Sequence, residues 1–177
     1  NLPAVRALLQ SGVNPDEYKN RCGLLDKAGN TPICTALHLA AFAGHLGVAK
    51  ALIEAGADVN NKEGIDNLGR TPLMMAAANG HTHVVMELIR AGANVNTAMR
   101  ISPHGPASTA LLVAILQGHE ACVLALIYAG ADVHLDGFGE AVMQDIRTAN
   151  AAANRNIVEL FRYAAPRNFL LLELDSV

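Results

Sequence analysis

Tryptophan is absent from the 177 residues, and phenylalanine and tyrosine bring the aromatic share to only 4%. A compact enzyme usually anchors its core on larger aromatic side chains, so this shortage counts modestly against one. Cysteine is scarce too: Cys22, Cys34 and Cys122 are an odd number at unrelated spacings, with no CxxC. The pattern indicates neither a disulfide framework nor a zinc ribbon, and a reducing, intracellular compartment (cytoplasm or nucleus) is the expected setting. No apolar run reaches the ~20 residues needed to cross a bilayer, because the run Phe169–Leu172 is stopped by Glu173. No secretory leader pattern is visible. The chain starts at Asn1 in mid-pattern and without Met, so it is expected to belong to a larger protein.

Positive charge is not in excess either. The formal net charge is -3, and the 13 Lys and Arg are scattered. A nucleic-acid binder needs a basic face to neutralise phosphates. The nearest approach is Arg147, Arg155, Arg162 and Arg167, which reads as a solvated helix face. No nucleic-acid partner and no membrane partner are expected. What the chain has in quantity is small and medium aliphatic residue, 51% hydrophobic overall, which suits thin helices packed closely in layers.

The decisive feature is an internal period. Gly44-His45 followed by Ala55-Gly56-Ala57-Asp58-Val59-Asn60 recurs as Gly80-His81 with Ala91-Gly92-Ala93-Asn94-Val95-Asn96. It recurs again as Gly118-His119 with Ala129-Gly130-Ala131-Asp132-Val133-His134, the Gly-His pairs lying 36 and then 38 residues apart. An incomplete earlier copy runs from Val5 through Leu8 and Leu9 to Gly12-Val13-Asn14. One unit can be read from its residues. Gly69 permits the positive φ of a tight turn. Thr71 caps a helix with its hydroxyl and Pro72 suits the first helical position. Leu73, Ala76 and Ala77 follow at helical spacing until Gly80, then Val84, Val85, Leu88 and Ile89 form an apolar stripe on a second helix. Ala91-Gly92 closes it with a left-handed cap. Such a unit cannot bury its stripe alone and must stack on its neighbours.

Thr71-Pro72-Leu73, Leu37-His38-Leu39-Ala40-Ala41, the three Gly-His pairs and the Gly-Ala-Asp-Val-Asn endings resemble the ankyrin repeat family. The resemblance spans roughly residues 2–164 and is strongest over 26–134. It implies an all-α solenoid of stacked helix-turn-helix units, elongated and slightly curved, with turn or hairpin loops on one edge. The array is expected over residues 1–165: a partial repeat at 1–14, repeats near 26–60, 61–96 and 97–134, and a degenerate C-terminal cap repeat at 135–165. Residues 166–177 form a tail or the start of a further segment.

The pattern departs in places. Asp26 to Pro32 reads as a complete repeat opening, yet Leu37-His38-Leu39 follows only after Ile33 to Ala36, which inserts about four residues at the start of the first helix. Thr35 is an alternative cap to Thr31. Residues 15–25 lengthen the preceding loop, and 97–108 form a longer loop with Pro103 and Pro106. Insertions in such arrays go to the loop edge, either as tolerated drift or as binding surface.

Chemistry is hard to find. His45, His81 and His119 share one slot, which reads as a turn-stabilising hydrogen bond repeated with the fold. The resemblance implies a structural role for His38. Cys34 and His38 are four apart, as a thiol and its base would be on a helix, but no third orienting group is evident. His81 and His83 lack carboxylate or thiol ligands for zinc. Gly105 and Gly137–Gly139 open no phosphate loop. No catalytic residue, metal or cofactor is expected.

The resemblance implies instead that a protein partner, of unknown identity, binds a monomeric array on its concave face and loop tips. By spacing the tips include Lys27, Asn30, Asn67, Leu68 and Arg70. The first-helix positions are Phe42, Ala43, Ala78, Asn79, Leu116 and Gln117. Phe42, Ala78 and Leu116 would form a row across three units, with Phe42 an aromatic anchor. The resemblance also raises hydroxylation at Asn60 and Asn96, each eight residues after a leucine (Leu52, Leu88), against a plain loop-stabilising role. The leading reading is an interaction scaffold or adaptor. The alternatives are the recognition part of a larger enzyme or effector, and a structural spacer with a uniformly polar concave face.

Overall fold

A computed structural model describes residues 2–16, 20–21, 33–62, 69–100 and 107–132. The cap repeat, the tail and the C-terminal arginines lie outside the described residues, as do Lys27, Asn30, Asn67 and Leu68. The described chain is a stack of helix-turn-helix units, three of them complete: α2 (Ala36–Phe42) with α3 (Leu46–Glu54), α4 (Pro72–Ala78) with α5 (Thr82–Arg90), and α6 (Ala110–Leu116) with α7 (Glu120–Tyr128). Ahead of them stands α1 (Leu2–Gln10), which packs on α3. Two short hairpins join the stack: β1 (Asn20–Arg21) pairs antiparallel with β2 (Ile33–Cys34), and β3 (Ala98–Arg100) with β4 (Ala107–Thr109).

Each first helix starts for the same reason. Thr35, Thr71 and Thr109 sit in extended backbone, and their hydroxyls accept from the amides of His38, Met74 and Leu112 at 3.4, 3.3 and 3.2 Å. Such a cap is worth about 1 kcal/mol. The three caps are 36 and 38 residues apart, as are the Gly-His pairs. The second unit is therefore not stretched inside its helix. Its helix has the same seven residues as the others, and the extra residues precede the cap, where β2 pairs with β1. The sequence expectation of an insertion at the start of the first helix is corrected: Thr35, not Thr31, occupies the capping slot. The expected long loop at 97–108 likewise contains a β-hairpin.

The first helices stack face to face, α2 on α4 on α6, and the second helices α3, α5 and α7 form a parallel layer behind them. Leu37, Leu73 and Leu111 occupy one slot and are fully buried, as are Leu52, Leu88 and Leu126 in another. Each such leucine contributes roughly 1.5–3 kcal/mol. Between them Ala40, Ala76 and Ala114 are at most 3% exposed. Larger side chains there would hold the layers apart.

Candidate functional site

The histidines and asparagines that repeat most faithfully serve the stack. His81 Nε2 lies 3.0 Å from the carbonyl of Phe42, and His119 Nε2 lies 3.2 Å from that of Ala78. A carbonyl only accepts, so Nε2 carries the proton and donates. Each bond ties the turn of one unit to the end of the first helix in the unit before. The expected turn-stabilising bond is thus an inter-repeat bond. Gly44 and Gly80 make it possible: they hold φ of +71° and +70°, and a Cβ on them would sit 2.5 and 2.7 Å from the rings of His81 and His119.

His38 is fully buried, its Nε2 donating to the Arg70 carbonyl at 3.0 Å and its Nδ1 2.8 Å from Thr35 Oγ1. Both ring nitrogens are engaged in the inter-repeat framework. Cys34 is disulfide-bonded and precedes the helix that carries His38. The thiol–imidazole pair considered from spacing is therefore absent, and so is the expected lack of disulfides. Cys22 lies outside the described residues, and Cys122 is a free, buried thiol, 3.3 Å from Thr82 Oγ1. Burial pushes the Cys122 thiol up, with the Thr82 hydrogen bond pulling weakly the other way. Among the described residues no group of three His, Cys, Asp or Glu is placed to hold a metal ion, and no helix is long and apolar enough to cross a membrane.

The hydroxylation candidates are bridges as well. Asn60 Oδ1 accepts from the Asn94 amide at 2.7 Å while its Nδ2 donates to the Gly92 carbonyl at 3.2 Å. Asn96 does the same to Asp132 N and Gly130 O, at 2.7 and 3.4 Å. The sequence reading did not single out Asp16, which fills the same slot one unit earlier. Its Oδ2 accepts from Asp58 N at 2.9 Å, but its Oδ1 is buried with no partner. Alignment of Gly12 with Gly56 would have found it.

What remains unengaged lies on the outward face of the first helices. Phe42 is 36% and Leu116 46% exposed, with half-buried Ala78 between them in the same slot. Ala43, Asn79 and Gln117 form an exposed row beside them. Asn79 turns its amide back onto Met75 O at 2.9 Å. Beyond lies a third row, half-buried Leu39, buried Met75 and half-buried Val113. Arg70 is half-buried and supplies its backbone carbonyl to His38. The described face thus brings together the six first-helix candidates.

Charge is segregated. No Asp, Glu, Lys or Arg occurs in α2, α4 or α6. The second helices carry Lys50, Glu54, Glu87, Arg90 and Glu120, with Glu87 3.6 Å from Lys50 and 2.8 Å from Arg90. Twenty-one helical residues without a formal charge are visible in the sequence once the helices are delimited, yet the search for single exposed apolar residues passed over them.

Comparison with known families agrees with this architecture. A model described as ankyrin repeats in three copies matches residues 61–136, and one for the single ankyrin repeat matches residues 34–63. Together they cover more than half of the chain. No curated protein matches it.

Proposed function

Because the chain belongs to the ankyrin repeat family, whose repeats are in general protein-interaction modules, we propose that it holds a partner protein on the uncharged face of its first helices. One observation carries the reading: Phe42 and Leu116 stand exposed on either side of Ala78 on helices that bear no charge. Stacked helices lie ~8–10 Å apart, so the two side chains bracket a shallow apolar saddle roughly two helix spacings wide. Such a surface favours an apolar segment of the partner. A phosphorylated or strongly acidic peptide would find no cation on these helices to meet it. Exposed apolar patches mark interaction sites, and aromatic anchors dominate binding energy in them. A spacer would present a polar face here.

The untested tip residues Lys27, Asn30, Asn67, Leu68 and Arg70 remain candidates for the rim of this contact. Asn60 and Asn96 are read first as inter-repeat bridges, since each uses both ends of its amide. A peptide mass increase of one oxygen atom after treatment with an asparaginyl hydroxylase would reassign them as modification sites.

The test is affinity capture with quantitative mass spectrometry, using the wild-type chain and a folded Phe42→Glu/Leu116→Glu variant. A partner retained by the wild type and lost by the variant supports the reading. Equal retention by both moves the contact off the first helices.

A further inference from the structure

The described array is incomplete at its N-terminal end, and the shape of what it lacks can be read from the other units. α1 is a second-type helix: Gly12 aligns with Gly56, Gly92 and Gly130, so Leu8 occupies the slot of Leu52, Leu88 and Leu126. Those three are at most 2% exposed, whereas Leu8 is 58% exposed, and α1 has no buried residue at all. Val5 likewise is half-buried where Ala49, Val85 and Val123 are fully buried. In the complete units a first helix covers these positions. Beside α1 there is instead an open groove of about 290 Å³, lined by Val5, Leu8, Leu9, Val13, Ala36 and Leu52, with Asn14 and Pro15 at its edge and no charged residue.

A second observation points to the same missing element. His81 and His119 each donate to a carbonyl two residues before the turn glycine of the preceding first helix. His45 stands in their slot and is exposed, and no described residue accepts from its ring. Groove and histidine both continue the α2–α4–α6 stack by one position.

We propose that this groove is a docking seat for a short uncharged helix of another polypeptide, of the kind of α2, α4 and α6. Its small and leucine side chains cover Val5, Leu8 and Leu9. The carbonyl at its C-terminal end accepts from His45 Nε2. Leu8 faces solvent, so such a helix reaches the seat from the open end of the stack without rearranging α1, α2 or α3.

The probe is a lactam-constrained peptide with the sequence of residues 71–81, added to the isotope-labelled 177-residue chain and followed by amide chemical shifts. The expected result is saturable shifts at Val5, Leu8, Leu9, Ala36 and His45. Leu8→Asp, at an exposed position, abolishes them with the unfolding midpoint unchanged. His45→Ala weakens binding by roughly five- to tenfold, the loss of one hydrogen bond. The Phe42→Glu/Leu116→Glu variant binds the peptide as the wild type does, so this seat and the first-helix face fail or stand separately. The proposal is overturned if no saturable shifts appear, if Leu8→Asp leaves them intact, or if a peptide carrying Leu73→Asp binds equally well.

Discussion

Replacing Gly44 by alanine tests the joint between units, because two different penalties meet there. The backbone at Gly44 has φ +71°, and the new Cβ would lie 2.5 Å from His81 Nδ1 and 2.6 Å from its Cε1. The left-handed conformation alone costs a non-glycine residue about 1–2 kcal/mol. Gly56 isolates that cost, since it has φ +90° and open space around the position of a Cβ. At Gly44 the ring must also move, and the bond from His81 Nε2 to the Phe42 carbonyl goes with it. That adds roughly 1 kcal/mol for the bond and a similar amount for disturbed packing. Gly44→Ala should therefore lose roughly 3 kcal/mol, against 1–2 for Gly56→Ala. In an array of this size each kcal/mol lowers the melting midpoint by roughly 2–4 °C. Urea unfolding of Gly44→Ala, His81→Ala and the double variant gives the coupling directly. In the His81→Ala background Gly44→Ala should fall back to the Gly56→Ala value, a coupling of about 1–2 kcal/mol. Equal costs for Gly44→Ala and Gly56→Ala, with no coupling to His81, would refute the inter-repeat joint.

Two further outcomes follow from buried groups. Asp16→Asn should stabilise the chain by about 1–2 kcal/mol, because it turns an unpartnered buried oxygen into a donor. In the equivalent Asn60 and Asn96 that donor reaches a glycine carbonyl. Thermal unfolding that shows no gain would contradict the alignment of Asp16 with the asparagine slot. The buried Cys122 thiol, pushed up by desolvation, favours the protonated form in the folded state. The sign follows: its contribution is fully present below the unfolded thiol value near pH ~8.5, and is lost as pH rises toward the higher folded value. Urea midpoints should fall over that alkaline range, and less so in Cys122→Ala. A parallel decline in both proteins would remove Cys122 as the cause.

Much of this architecture was legible in residues. Thr71-Pro72, the Gly-His pairs and the leucines at slot spacing each have a local physical meaning, and repetition multiplies it. The second unit misled because Thr31-Pro32 reads locally as a better start than Thr35-Ala36. Only the tertiary register, with Thr35, Thr71 and Thr109 capping at equal intervals, decides between them. The role of the histidines was half legible: the slot was visible, but its acceptor lies 39–41 residues away in the preceding unit. No local pattern contains that partner. Phe42 and Leu116 were found by asking which apolar residues the core did not need. The absence of charge across α2, α4 and α6 became meaningful only when those helices were seen to share one face.

The most direct test of the central claim is amide hydrogen exchange on the chain alone and bound to whichever partner affinity capture returns. The account predicts new protection at Phe42–Ala43, Ala78–Asn79 and Leu116–Gln117, with α3, α5 and α7 unchanged on their charged side. Protection confined to α3, α5 and α7, with the first helices unaffected, would contradict it.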